Sequence, residues 1–310
     1  MTIALIYYQQ YVVSMDRIEL MKTYLAVADA GSFTQAADKL NITPQLASKY
    51  IRALEDDLGS QLFNRSTRRV NLTHTGAAYY DRCARLIEDF DELTAAVRQD
   101  HQVPRGELRV TAPVDFGELH LIDALSDFAD AFPDISINLT LTDRFLDMLE
   151  EGIDVAIRIG ELESSSLIAR RIGTAPIVFC ASAEYLAHTP KPAHPRELSK
   201  HKCIVDTNFK LGSSWPFMVN GKLERISIVG RFRVNNASAA RRLALNGHGI
   251  TLVPSYIVSQ DLKEGRLISV LEEFSASDLG IHAVYPEARH LSAKTRSFVD
   301  FVATRFRDLE

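Results

Sequence analysis

The hydrophobic period of this 310-residue chain changes at His101-Gln102-Val103-Pro104-Arg105-Gly106, and that change constrains the fold more than any other feature. Before it, apolar residues recur mostly three and four apart, the period of helices. After it, stretches that alternate every second residue take turns with helical stretches. Proline and glycine so close together stop a helix. Residues 101–107 therefore read as a hinge between a helical part and an α/β part. The length allows two or three units, each with its own core.

Residues 1–14, MTIALIYYQQYVVS, lack a basic n-region and a small-residue cleavage site, so they read as an extension and not as a signal peptide. Ile18, Met21, Leu25 and Ala28 predict a first helix from Asp16 to Ala30, stopped by Gly31. Ser32-Phe33-Thr34-Gln35 is a capping box that opens a short second helix through Ala36, Ala37 and Leu40. After the turn Asn41-Ile42-Thr43, Thr43 caps a third helix whose first position is Pro44. At about 100° per residue, Ala47, Ile51, Leu54 and Leu58 share one side. Gln45, Lys49, Arg52 and Asp56 lie opposite, Ser48 sits at the edge, and Gly59 ends the helix.

Two helices joined by so short a turn, the second with small and basic residues outward, describe a helix-turn-helix. Gln45 offers a donor and an acceptor to a base edge, Thr43 and Ser48 suit phosphate or base, and Lys49 and Arg52 reach phosphate or guanine. The same side chains taken alone also describe a solvated helix face. The next segment, LFNRSTRRVNLT, favours DNA: Val70 and Leu72 alternate like a strand, and Arg65, Arg68 and Arg69 place three positive charges in a wing with no acid between them. The domain spans residues 15–73.

Residues 74–100 continue as a long linker helix. Tyr79, Cys83, Leu86, Phe90, Leu93 and Val97 recur at alternating spacings of four and three, the seam of a coiled coil, and a homodimer would bury it. Packing against the same chain is the alternative. In residues 108–310, LRVTAP, ISINLTL, IDVAIRIG, IARRI, APIVFCAS and GITLVP read as strands. The segments around HLIDALSDFADAF, RFLDMLEEG and NASAARRLALNGHG read as helices, giving a largely parallel sheet. Ligands bind such sheets beyond the carboxyl ends of the strands. Pro113, Val114, Asp115 and Phe116 follow the first strand, Thr142 and Asp143 the second, and Ile159, Gly160 and Glu161 the third. Asn235, Asn236 and Ser238 open a later helix. Each position also has a structural reading: Asn235 as a cap, Thr142 and Asp143 as a strand end, Arg158 as a salt-bridge partner.

The formal net charge of −5 argues against a uniformly basic coat but says nothing about local patches. Cys83, Cys180 and Cys203 have no CxxC or His/Cys spacing, so neither a disulfide framework nor a metal site is expected. No cofactor is implied. No apolar run reaches the roughly 18 residues of a membrane span, and a cytoplasmic protein without membrane contact is expected.

YLAVADAGSFTQAA and SKYIRALEDDLGSQLFNRSTRRVNLTHTG, followed by DVAIRIG, SSSLIARRI, CASAEYLA, HPRELSKHKCI and GHGITLVPSYI, resemble LysR-type transcriptional regulators from Met15 onward. The resemblance implies a multidomain chain: an all-α winged helix-turn-helix with a long linker helix, then an α/β effector domain shaped like a periplasmic binding protein. Its subdomains would be residues 108–174 with 281–310, and residues 175–280. It implies promoter DNA, a small effector held between the subdomains, and self-association as a dimer or tetramer, with RNA polymerase as a further candidate partner. Ser32, Thr34 and Gln35 would meet the DNA backbone, Gln45, Ser48, Lys49 and Arg52 the major groove, and Arg65 and Arg68 the adjacent phosphates. Pro44 to Ala47 and Lys49 depart from the arrangement common in that family, which bears on operator sequence. A redox-responsive regulator using Cys180 and Cys203 is an alternative. An enzyme or solute-binding protein on the same fold is another, although no nucleophile elbow, phosphate loop or metal spacing occurs.

Overall fold

Three helices, each opened by a side-chain cap, begin the chain: α1 (Arg17–Ala30), α2 (Phe33–Leu40) and α3 (Pro44–Leu58). The computed structural model describes residues 16–64, 70–97, 103–162, 165–209, 212–276, 278–287 and 291–307, in two units, Met1–Gln102 and Val103–Glu310. Asp16 accepts from the Ile18 amide at 3.0 Å, Ser32 from Gln35 at 3.5 Å and Thr43 from Leu46 at 3.2 Å. Each bond satisfies a helix N–H that the helix itself cannot. The return bond of the capping box, from the Gln35 side chain, is not formed among the described residues.

Leu20, Tyr24, Val27, Ala36, Ile51, Leu54, Leu62 and Phe63 form the core of this unit. The expected α1 stripe is corrected. Ile18, Met21, Leu25 and Ala28 are only half-buried, because α1 is apolar on two faces and the Leu20, Tyr24 and Val27 face turns inward. Leu58 is also exposed, lying beyond the last core contact of α3. Strands β1 (Phe63–Asn64) and β2 (Asn71–Leu72) pair antiparallel at the base of the wing. Buried Glu55 of α3 accepts from the Leu62 and Phe63 amides at 2.8 and 3.2 Å, fixing β1 to that helix. Helix α4 (His74–Val97) follows, with the Tyr24 hydroxyl donating to the Gly76 carbonyl at 2.7 Å.

In the second unit, β3 (Gly106–Ala112) is followed by a short helical turn, a π turn at Gly117–Leu121 and α5 (Ile122–Ala131). Next come β4 (Ile135–Leu141), β5 (Val155–Ile159) and β6 (Leu167–Ser182). Helix α6 (Ala183–His188), β7 (Cys203–Asp206), the hairpin β8 (Ser214–Val219) with β9 (Lys222–Ser227), and β10 (Gly230–Val234) follow. The chain then forms α7 (Ala237–Leu245), β11 (Ile250–Pro254), α8 (Ser255–Lys263), β12 (Leu267–Ser269), β13 (Asp278–Pro286) and α9 (Ala293–Arg305). The sheet order is β10-β7-β11-β6-β13-β5-β3-β4, with β12 on β6.

Strand β6 passes between the two halves, pairing with β13 through residues 167–176 and with β11 through residues 177–180. One half packs α5 and α9 against β3 and β5 around Phe128, Val155 and Phe298. The other buries Trp215, Phe217 and Leu252 on one sheet face and Cys180, Ala240 and Val258 on the opposite face.

Three expectations differ. The sheet is mixed: β3 with β4 and β5, and β7 with β10 and β11, are parallel, whereas every pairing of β6 and β13 is antiparallel. IARRI and APIVFCAS are one continuous strand. RFLDMLEEG forms turns, with only Met148 buried, because Asp147 bonds the Leu149 and Glu150 amides in place of a longer helix.

Candidate functional site

On the first unit, α3 turns Gln45, Lys49 and Arg52 to solvent, with Ser48 half-buried beside them. None of Gln45, Lys49 and Arg52 makes a hydrogen bond or ion pair among the described residues, so their donors are available. Ala47, Ile51 and Leu54 anchor the opposite face of the helix in the core. The Thr43 oxygen is used in its cap, which leaves its O–H to donate outward. Thr34 and Gln35 are exposed at the start of α2, and Ser32 is half-buried. Arg65, Arg68 and Arg69 lie outside the described residues.

The α4 seam divides. Tyr79 and Cys83, with Ile87, pack on the helix-turn-helix core of their own chain, and desolvation raises the Cys83 thiol to about 11. Leu86 and Phe90 face out, 47% and 40% exposed. Cys83 is buried and Tyr79 half-buried against their own chain, so Cys83 is taken up by intrachain packing while Leu86 and Phe90 stay outward. The side chains of Leu93 and Val97 lie outside the described residues.

The second unit holds a cleft of about 970 Å³ between its halves. Pro113, Asp115, Thr142, Asp143, Ile159 and Gly160 line it, all at the strand ends singled out from sequence. Glu161 lines it too. Val114, Phe116 and Asn235 do not. Phe116 is fully buried in an aromatic cluster with Tyr256 and Phe306, and Asn235 gives its carbonyl to the Asn208 side chain instead of capping α7. The cap is Asn236, which accepts from the Ala239 amide at 2.8 Å.

Asp115 crosses the cleft. Its carboxylate accepts from the Ser238 amide at 3.1 Å and from the Asn236 side chain at 3.2 Å, so it sits on the N-terminus of α7. There the free N–H groups and the helix dipole favour an anion.

Sequence reasoning missed the most buried charges of the cleft. Arg158, read as a salt-bridge partner, forms no ion pair among the described residues. It donates to the Ile157 carbonyl at 3.1 Å and lies under the exposed Phe145 ring at 5.5 Å. Burial lowers its pKa, and the Asp143 charge opposes that shift. Asp206, at the end of β7, is 8% exposed, and desolvation raises it to about 6, reinforced by Asp115 and Asp143 and opposed by a bond from the Asn208 amide. Arg171 and His282 also line the cleft, on neighbouring strands at one register position. Burial lowers the His282 pKa, the Arg171 charge adds to that effect, and its Nδ1 has no hydrogen-bond partner. In the sequence Arg158 stood only as a salt-bridge partner within a buried strand, and β5 is buried at four successive residues, so no periodicity marked it for the cleft.

A helix-turn-helix with free polar groups on its outer helix, and a second unit with a ligand-sized cleft between two α/β halves, define a ligand-binding transcription regulator as a class. Residues 18–77 match the model of the bacterial regulatory helix-turn-helix protein, lysR family, and residues 101–307 match the LysR substrate binding domain. The chain belongs to the LysR family of transcriptional regulators.

Its similarity to single relatives runs nearly end to end. The HTH-type transcriptional regulator PtxR of Pseudomonas aeruginosa is 34% identical over 277 residues, 89% of this chain and 89% of that protein. The full-length virulence activator AphB of Vibrio cholerae matches at TM-score 0.58 and 30% identity, covering 94% of this chain and 99% of that one. CrgA of Neisseria meningitidis matches at TM-score 0.59 and 29% identity, covering 92% and 97%. Among the described residues no helix is long and apolar enough to cross a membrane.

Proposed function

We propose that this regulator binds promoter DNA as a dimer or tetramer through α3 and the arginine wing, and that a small effector in the cleft sets how its DNA-binding units engage. The observation that carries this reading is the joint presence of free donors on α3 and a cleft lined from both α/β halves. Gln45, Ser48, Lys49 and Arg52 enter the major groove, while Thr43, Ser32, Thr34, Gln35, Arg65, Arg68 and Arg69 hold the DNA backbone and adjacent groove. The chain acts by binding, in the cytoplasm, and not as an enzyme, with RNA polymerase as a further partner at the promoter.

An operator shift assay tests the DNA face. Gln45→Ala is expected to lose about 1–3 kcal/mol at its cognate base pair only, whereas Lys49→Ala weakens binding with partial loss of sequence preference. Equal affinity in wild type and both variants removes α3 as the reading helix.

A further inference from the structure

Five carboxylates and three guanidiniums line the cleft, so a ligand carrying only negative charge enters against an acidic excess. The helix N-terminus, the ready site for a ligand anion, is already filled by Asp115. Arg171 is exposed and bonded to the Gly173 carbonyl at 3.4 Å and the Thr174 hydroxyl at 3.0 Å, and Arg225 is exposed to water. Arg158 is the exception among these cations, at 8% exposure with no carboxylate within ion-pair distance among the described residues. A guanidinium so enclosed gains most from a carboxylate that can take its planar fork.

Across the cleft the converse holds. Asp206 is equally buried and has no cationic partner among the described residues, and Asp143 faces it from the other half. One oxygen of Asp206 accepts from the Asn208 amide at 2.9 Å, and one of Asp143 from Val114 at 3.3 Å. The second oxygen of each has no hydrogen bond among the described residues. The Asp143 charge raises the cost of ionising Asp206 across the gap, and a cation between them offsets it. Two buried, opposite charges on facing halves of one cavity, each lacking an ion partner, require a ligand with both signs.

We propose that the cleft binds an amphoteric small molecule, an amino acid or a related aminocarboxylate, with its carboxylate on Arg158 and its ammonium between Asp143 and Asp206. The proposal rests on the cleft being the effector site. The ligand ties Asp143 of one half to Asp206 of the other, so its binding draws the halves together. Phe145, over Arg158, covers the carboxylate end.

The test is titration calorimetry on the full-length protein with the twenty L-amino acids and 4-aminobutanoate, against glutarate as an anion-only probe and putrescine as a cation-only probe. At least one aminocarboxylate is expected to bind saturably and to lose about tenfold or more in Arg158→Met and in Asp206→Asn, while both variants keep the wild-type circular dichroism spectrum. Its deaminated and decarboxylated analogues lose as much. Should Arg158→Met fail to fold, Arg158→Lys keeps the charge without the fork and reports the same contact. Glutarate or putrescine binding more tightly than every aminocarboxylate, or no aminocarboxylate binding at about 10 mM, overturns the amphoteric class. If glutarate binding is lost in Arg158→Met, the cleft stands as effector site although the class is wrong. An aminocarboxylate that binds both variants unchanged sits elsewhere, and the cleft assignment falls with the proposal.

Discussion

Asp206 links the cleft to stability through one proton. Its folded pKa of about 6 lies above the ordinary carboxylate value of 3.8, so the folded state holds that proton more tightly than the unfolded chain does. The stability this supplies is complete below about pH 4 and is lost as pH rises through about 6. Asp206→Asn is therefore expected to gain stability relative to wild type across that interval, seen as diverging urea midpoints in a pH series. Parallel midpoints contradict the burial argument. Gly76 makes a second single-residue case: a Cβ there would lie 2.1 Å from the Leu62 carbonyl oxygen. Gly76→Ala should cost about 1–3 kcal/mol by overpacking, measured by chemical denaturation. Local chemistry of this kind was partly legible. The caps at Ser32 and Thr43 act within three residues of themselves, so sequence displays them. Glu55 was not legible, because its partners Leu62 and Phe63 lie past the end of α3 and nothing in the helical pattern distinguishes a buried glutamate from a solvated one.

At the scale of elements, α4 shows what a heptad reading misses. The repeat placed Tyr79, Cys83, Leu86 and Phe90 in one seam, but each residue turns the helix about 100°, and the inward face runs through Cys83 and Ile87. Leu86 and Phe90 stay exposed, the positions that a partner helix would cover in the proposed dimer. Leu86→Asp should then give folded monomers by light scattering, whereas Ile87→Asp, which buries a charge, should lose about 3 kcal/mol or more of stability. An unchanged mass for Leu86→Asp refutes the outward face. Strands set a comparable limit on cysteine chemistry. Cys180 on β6 pairs with Thr251 of β11, and Cys203 on β7 pairs with Ile250 of the same strand, so β11 lies between them. Two strand spacings are about 10 Å, beyond the reach of a disulfide at about 7 Å, and the thiols enter opposite cores. Burial raises both thiols to about 12. Peroxide treatment should leave no Cys180–Cys203 bond by mass spectrometry. That pairing could not be judged from sequence, since only the strand order separates the two residues.

The whole molecule carries a net charge of −5 yet presents unpaired cationic side chains on one helix, and the scale on which charge is summed decides its behaviour toward DNA. The same separation explains which half of each site was legible. The DNA face is built from consecutive residues on one helix, so periodicity alone collects Gln45, Lys49 and Arg52. The cleft collects strand ends far apart in the chain, so sequence reached the loops after β3, β4 and β5, whose position beyond a strand is a general rule. It did not reach Asp206 or His282, whose approach depends on β6 and β13 crossing between the halves. For DNA binding, a phosphate contact releases counterions locally whatever the total charge, with a slope of about 0.9 in log affinity per log salt for each contact. Arg65→Ala and Arg68→Ala are each expected to lower affinity across sequences and reduce that slope by about one. Gln45→Ala, which removes a base contact and no charge, leaves it unchanged. Operator titrations over a salt series separate the two behaviours. If the arginine variants keep the wild-type slope, the wing does not hold phosphate, and the affinity must come from α2 and α3.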